Sequence, residues 1–234
     1  MEISRDRIFK ELVIVEKLGN ISAEENIEIA KKIGHIPYIE QWPEIKNGRE
    51  KVLFEAPGVI KVTEGGLFGH KDTLDWHANK ASSPHRSPIV WIYAVKGSKG
   101  SVTSWIDNRK AYEDLPDDVK KQCEKIKITC GFRRGRYTDD PFFREHHNKE
   151  HEFDLVYTNE AGVKGLYFPY LQVFGGIELE LFDYLSKHIQ QDKYRYDHHW
   201  EDGDVVISEQ WLTIHKRHAF EKMNERLMYR IAID

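Results

Sequence analysis

Ile214-His215-Lys216-Arg217-His218 and, a short interval on, Glu225-Arg226-Leu227-Met228-Tyr229-Arg230 form the stretch on which the chain turns. His215 precedes two arginines by eleven and fifteen positions, and apolar Leu227, Met228, Ile231 and Ile233 lie between and after them. That pattern suits a strand, and an arginine turned inward requires a partner anion. Far upstream, Leu74-Asp75-Trp76-His77-Ala78-Asn79 holds a second histidine with a short polar side chain two positions later. Residues i and i+2 of a strand share a face, so His77 and Asn79 are candidates for two corners of a metal site and His215 for the third. Oxygen-activating iron(II) commonly takes two imidazoles and one carboxylate on one face. A single strand histidine is more often a hydrogen-bonded core residue; the downstream spacing of His215, Arg226 and Arg230 is what makes His77 a candidate ligand.

Composition sets the outer bounds. A chain of 234 residues can bury one sizeable core and reads as a single domain over 1–234. Its 35 basic and 39 acidic side chains leave a net charge of -4, with no global basic field for a phosphate backbone, so nucleic acid is not the expected partner. Cys123 and Cys130 lack CxxC spacing and form at most one bridge, which points to a reducing compartment. No apolar run approaches the roughly 20 residues of a membrane span, and no basic-then-apolar leader opens the chain. The expectation is a cytoplasmic protein without membrane contact. Composition leaves the oligomeric state open.

Working outward, Glu11–Val15, Val59–Val62, Ile89–Val95 and Val102–Ile106 read as strands, the last two as a hairpin turned at Gly97 to Gly100. Ser22-Ala23-Glu24-Glu25 carries a capping box that opens a helix ended by Gly34. Residues 35–50 read as loop. A helix is predicted over 109–124 with a break at Pro116, and another over 178–190 on Leu179, Leu181, Phe182, Leu185 and Ile189. Phe153–Thr158 and Gly165–Phe168 make a hairpin, and Val205-Val206-Ile207 enters the strand that delivers His215. A long polar segment with Arg133, Arg134, Arg136, Arg144, His146, His147 and His151 reads as a lid or a solvated loop. Many short strands and few helices predict a mainly β sandwich or barrel with peripheral helices and a ligand at its concave mouth.

Taken in order, these fragments resemble the taurine/2,4-dichlorophenoxyacetate dioxygenase (TauD/TfdA-like) family of Fe(II)/2-oxoglutarate-dependent oxygenases. The likeness runs through Lys32–Ile36, Trp76–Asn79, Gly100–Trp105, Ala111–Leu115, Gly165–Tyr167, Tyr196–Val206 and His215–Arg230. Each fragment is weak by itself, while their shared order and spacing are specific. The resemblance implies a double-stranded β-helix, or jelly roll, with His77 and His215 as iron ligands. It implies that Arg226, helped by the Thr103 hydroxyl, binds the distal carboxylate of 2-oxoglutarate, a role that suits a guanidinium fork. Arg230 would face the cosubstrate and an anionic part of a small substrate, hydroxylated with release of succinate and CO2.

One position departs from the family, which writes His-x-Asp where this chain has His77-Ala78-Asn79. Three readings stay open. Asn79 is a neutral third ligand, direct or through water; or the position is vacated for chloride, as in related halogenases with Ala or Gly there; or Asp75 supplies the carboxylate, or oxygenase activity is lost and a binding module remains. His70, Trp76 and Phe168 are candidates for the substrate pocket, against the plainer reading of a solvated turn for His70 and of core for Phe168. His218, on the opposite face from His215, is expected outside the site.

Overall fold

The computed structural model describes residues 3–40, 52–66, 68–131 and 150–234. Among them, β1 (Val13–Lys17), β2 (Phe54–Ala56), β3 (Val59–Val62), β5 (Ile89–Lys96), β13 (Asp204–Glu209) and β15 (Leu227–Ile233) form a six-stranded antiparallel sheet, ordered β1-β13-β5-β15-β3-β2. A four-stranded sheet runs β12-β6-β14-β4, from β4 (Leu74–His77), β6 (Val102–Asp107), β12 (Arg195–His199) and β14 (Thr213–Arg217). Neighbours far apart in the chain make these crossovers those of a jelly roll. A three-stranded sheet of β7 (Lys127–Cys130), β8 (His151–Asp154) and β11 (Val173–Gly175) and a hairpin of β9 (Val156–Thr158) and β10 (Lys164–Leu166) flank this pair, the four-stranded sheet being the smaller of the two.

Period-two alternation sorts the side chains into layers. On the larger sheet, Trp91, Tyr93, Val205, Ile207, Tyr229, Ile231 and Ile233 turn outward onto α1 (Arg5–Glu11) and α2 (Ala23–Ala30). Their alternates Ala94, Val206 and Met228 turn inward, meeting Trp105 and Trp200 between the sheets. On the smaller sheet, Trp76, Ile106 and Ile214 face outward under α4 (Asn108–Glu113) and α6 (Leu179–Ile189), which contribute Ala111, Tyr112, Leu181, Leu185 and Ile189. Trp91 is fully buried and its indole donates to Asn26 Oδ1 at 2.9 Å; truncating such a residue costs about 3–5 kcal/mol. The mainly β expectation with peripheral helices is borne out.

Local expectations fare unevenly. The capping box forms as read: Glu25 N donates to Ser22 Oγ at 3.2 Å, and Ser22 N donates to Glu25 Oε2 at 2.7 Å. Pro116 separates α4 from α5 (Asp117–Cys123), and residues 35–50 hold a short helix, α3 (Pro37–Glu40), before the described residues break off. The first strand begins after α1, with Leu12 at φ 66° as the bend. Ile89–Lys96 and Val102–Asp107 are both strands but not a hairpin. Gly97 and Gly100, at φ 66° and 90°, carry the chain from one sheet to the other, and alternation along a strand does not reveal its partner. Likewise His215 does not share a strand with Val205–Ile207. The buried Glu209 carboxylate accepts from Trp211 N at 3.0 Å and Leu212 N at 2.6 Å, turning the chain into β14 of the smaller sheet. The polar segment from Arg133 to His147 lies outside the described residues. Both cysteines are free and buried. No helix among the described residues is long and apolar enough to cross a membrane.

Candidate metal and cosubstrate site

β14 lies between β6 and β4, so His215 stands opposite both Trp105 and His77 on the inner face of the smaller sheet. The two imidazoles have centroids 4.2 Å apart, tilted by 52°. His77 Nδ1 donates to the Asp75 carbonyl oxygen at 2.6 Å. A carbonyl only accepts, so the proton sits on Nδ1 and Nε2 keeps its lone pair for a ligand. His215 Nδ1 is buried without a hydrogen-bond partner among the described residues. Burial, reinforced by the charges of Arg230 and Arg217, pushes His77 down to about 4. Burial and the neighbouring His77 and Arg230 hold His215 well below its ordinary 6.5. Both rings are therefore neutral at physiological pH, the state a metal requires.

Asn79 follows β4 and lines the same cavity as both histidines. Its Nδ2 donates to Gln210 Oε1 at 2.8 Å and lies 3.5 Å from His215 Nε2. Asp75 is not on this face. Pairing runs His215 to His77 but Arg217 to Leu74, a register shift that sets two β4 residues, Asp75 and Trp76, against the single Lys216 of β14. The bulge makes Leu74, rather than Asp75, share the cavity with His77. The Asp75 carboxylate is 63% exposed and pairs with Lys216 Nζ at 3.4 Å. Among the described residues no group of three or more His, Cys, Asp and Glu side chains is placed to hold a metal. What the described residues of this cavity could offer a metal is two imidazoles and an amide.

Behind the histidines the cavity is cationic. Arg226 is 2% exposed, and among the described residues its Nε is buried without a partner while its terminal nitrogens meet the sulfurs of Met223 and Met228. Burial, with the nearby Arg217, pushes it down to about 9, and burial lowers Arg230 too. Neither Arg226 nor Arg230 forms an ion pair with a carboxylate among the described residues. Arg217 donates to the Asp72 carbonyl at 2.8 Å and to His70 Nδ1 at 3.2 Å. Thr103 Oγ1 accepts from Trp200 Nε1 at 2.9 Å, which leaves the hydroxyl proton to donate. Val62, Ile92 and Met228 add apolar walls to a cavity of about 500 Å³, open mouth included.

Of the residues expected here, His77, Asn79, Thr103, His215, Arg226 and Arg230 share this cavity. Trp76 and Phe168 do not, and both belong to the apolar cluster on the other face of the smaller sheet. For Trp76 the reason is parity, since it is adjacent to His77 on the strand; Phe168 is wholly buried against Phe182. His70 sits at the Arg217 guanidinium rather than in the wall. His218, on the outer face, meets Ser104 Oγ at 2.7 Å. Sequence reasoning missed Gln210 and left Arg217 unassigned. Gln210 carried no periodic signal, whereas Arg217, two positions from His215, was available by strand parity.

The arrangement fits an iron(II) ion and a dicarboxylate: the neutral imidazoles have lone pairs to offer, and among the described residues Arg226 and Arg230 are buried without a carboxylate partner. A family model described as "Taurine catabolism dioxygenase TauD, TfdA family" matches residues 9–232. Pentalenolactone F synthase of Streptomyces avermitilis is 23% identical over 238 residues, covering 90% of this chain and 77% of that protein. The alpha-ketoglutarate-dependent 2,4-dichlorophenoxyacetate dioxygenase of a Burkholderia species is 22% identical over 173 residues, covering 66% of this chain and 56% of the relative. The crystal structure of a taurine dioxygenase from Burkholderia xenovorans superimposes with a TM-score of 0.75 at 16% identity, over 98% of this chain and 80% of that one. With a match across nearly its whole length and a jelly roll to go with it, the chain belongs to the TauD/TfdA family of Fe(II)/2-oxoglutarate-dependent oxygenases.

Proposed function

We propose that this oxygenase hydroxylates a small anionic substrate, with His77, His215 and the Asn79 amide holding iron(II) and Arg226 anchoring 2-oxoglutarate. The observation that carries the reading is the convergence on one cavity of two neutral imidazoles and two guanidiniums that have no carboxylate partner among the described residues. Bound iron with 2-oxoglutarate supplies oxidative decarboxylation of the keto acid to succinate and CO2, coupled to oxygen insertion into a C–H bond. The chain's own part is positional. His77 offers Nε2 because the Asp75 carbonyl holds its proton on Nδ1. Arg226 grips the distal carboxylate, with the Thr103 hydroxyl as second donor, and Trp200 fixes that hydroxyl from behind. Arg230 leaves a further cation for the substrate, and the relatives are named for taurine, which carries a sulfonate, and for 2,4-dichlorophenoxyacetate, a carboxylate. The apolar walls exclude water from the reacting face.

The test is succinate release with iron(II), 2-oxoglutarate and a panel of small carboxylates and sulfonates, with and without chloride. Hydroxylated product with stoichiometric succinate supports the reading. Chlorinated product would replace it with halogenation, a reading that the Asn79 amide disfavours by standing where the halogenases named above leave room. Metal uptake without succinate for any substrate would leave a binding module.

A further inference from the structure

β4 is the last strand of the smaller sheet, and its pairing with β14 ends at His77. The next residue, Ala78, is buried, so its backbone N–H and C=O need partners within the protein. One side chain supplies both. Ala78 N donates to Gln172 Oε1 at 2.8 Å, and Gln172 Nε2 donates to the Ala78 carbonyl oxygen at 3.2 Å. A primary amide offers a donor and an acceptor side by side, as the backbone of a neighbouring strand would. Gln172 ends a short 3-10 helix, Tyr170–Gln172, and its own backbone is anchored: its N–H donates to the Pro169 carbonyl at 2.7 Å, and its carbonyl accepts from Gly131 N at 2.9 Å.

Lys80, just past Asn79, has φ 52°, a left-handed backbone disfavoured for any residue with a side chain. Such a conformation persists where the surroundings fix it from more than one side. Here Gln172 holds the segment at Ala78, and the Tyr167 hydroxyl, donating to the Ala81 carbonyl at 2.8 Å, holds it at Ala81. His77 and Asn79, which line the metal cavity, stand on either side of the first clamp. We infer that Gln172 is a positioning residue for the metal site: by holding both polar groups of the Ala78 backbone, it sets where the chain presents His77 and residue 79 to the cavity. The inference rests on the metal-site reading above. Gln172 does not line the cavity itself, so its effect on a bound ion passes through Ala78.

Mn(II) is the probe, titrated calorimetrically into the purified chain and three variants, each checked by a thermal melt. Gln172→Met keeps the length of the side chain and removes both hydrogen bonds; it should weaken Mn(II) binding by about 10–100-fold, the usual range when a group that orients a metal ligand is lost. Gln172→Glu keeps the acceptor for Ala78 N and should recover part of that loss, binding at least about threefold more tightly than Gln172→Met. Ser22→Ala removes the cap of α2, remote from the cavity; it should lower the melt and leave Mn(II) affinity within about threefold of the parent, which separates positioning from general destabilisation. A folded Gln172→Met within about threefold of the parent, a Gln172→Glu no better than Gln172→Met, or a loss in Ser22→Ala equal to that in Gln172→Met would each overturn the inference. Where methionine prevents folding, Gln172→Glu is read against the parent: a loss of about threefold or more supports the clamp, and a smaller one overturns it. Absence of Mn(II) uptake by the parent chain is a distinct result that overturns the metal-site reading, and the inference with it.

Discussion

His215 and His77 are direct cross-strand partners, set opposite each other by antiparallel pairing of β14 with β4, with ring centroids 4.2 Å apart. Two imidazoles bonded to one ion at roughly 2 Å per nitrogen need their rings about this close together. The pairing also buries both rings together, and their resistance to protonation follows from it.

That resistance sets a pH dependence. The unfolded chain protonates His77 near 6.5 and the folded chain only near 4, so between those values the unfolded state binds more protons. The metal-free fold should lose stability as pH falls from about 6.5 towards 4, with no contribution from this group above that window. Mn(II) affinity should hold from pH 7.5 down to about 5, since no imidazole proton has to be displaced. Calorimetric titration across that range checks it; a binding midpoint near 6.5 would show that the rings titrate as exposed histidines do.

Asn79→Asp should tighten metal binding by at least about tenfold, roughly 1.4 kcal/mol, because it adds a negative charge within bonding distance of a divalent cation. The comparison is the Mn(II) dissociation constant of parent and variant. An unchanged value would mean that residue 79 does not face the ion.

Arg226→Ala should lower 2-oxoglutarate affinity by about 2–5 kcal/mol, thirtyfold or more, the cost of removing one partner from a buried charge pair. Metal uptake should be retained. Equilibrium binding of the keto acid in the presence of Mn(II), without oxygen turnover, is the measurement, and a change below threefold would remove Arg226 as the anchor.

Gly97→Ala should damage both stability and the cosubstrate pocket. Gly97 has φ 66°, and a Cβ there would run into the Glu225 carbonyl oxygen and the backbone nitrogen of Arg226. A left-handed non-glycine residue costs about 1–2 kcal/mol before any clash, so the loss should reach at least about 2 kcal/mol, or roughly 4–8 °C in Tm. Reduced 2-oxoglutarate affinity should accompany it, as the Arg226 segment shifts. A melt that falls with cosubstrate binding untouched would uncouple the turn from the site.

Much of this molecule was legible along the chain. The apolar run Ile89–Val95, the Ser22–Glu25 capping box and the break at Pro116 are local signals, set by interactions within a few residues. The spacing of His215, Arg226 and Arg230, with His77 upstream, marked side chains that do line one cavity. Tertiary structure decided the rest. Which strands pair is a matter of contacts distant in sequence, so β5 and β6 looked like a hairpin but belong to different sheets. The bulge opposite β14 took Asp75 out of the cavity by shifting parity, something strict period-two counting does not anticipate. Gln210 met Asn79 only because the turn at Glu209 brings residues 131 positions apart within 2.8 Å, and no local pattern encodes a contact between groups so far apart.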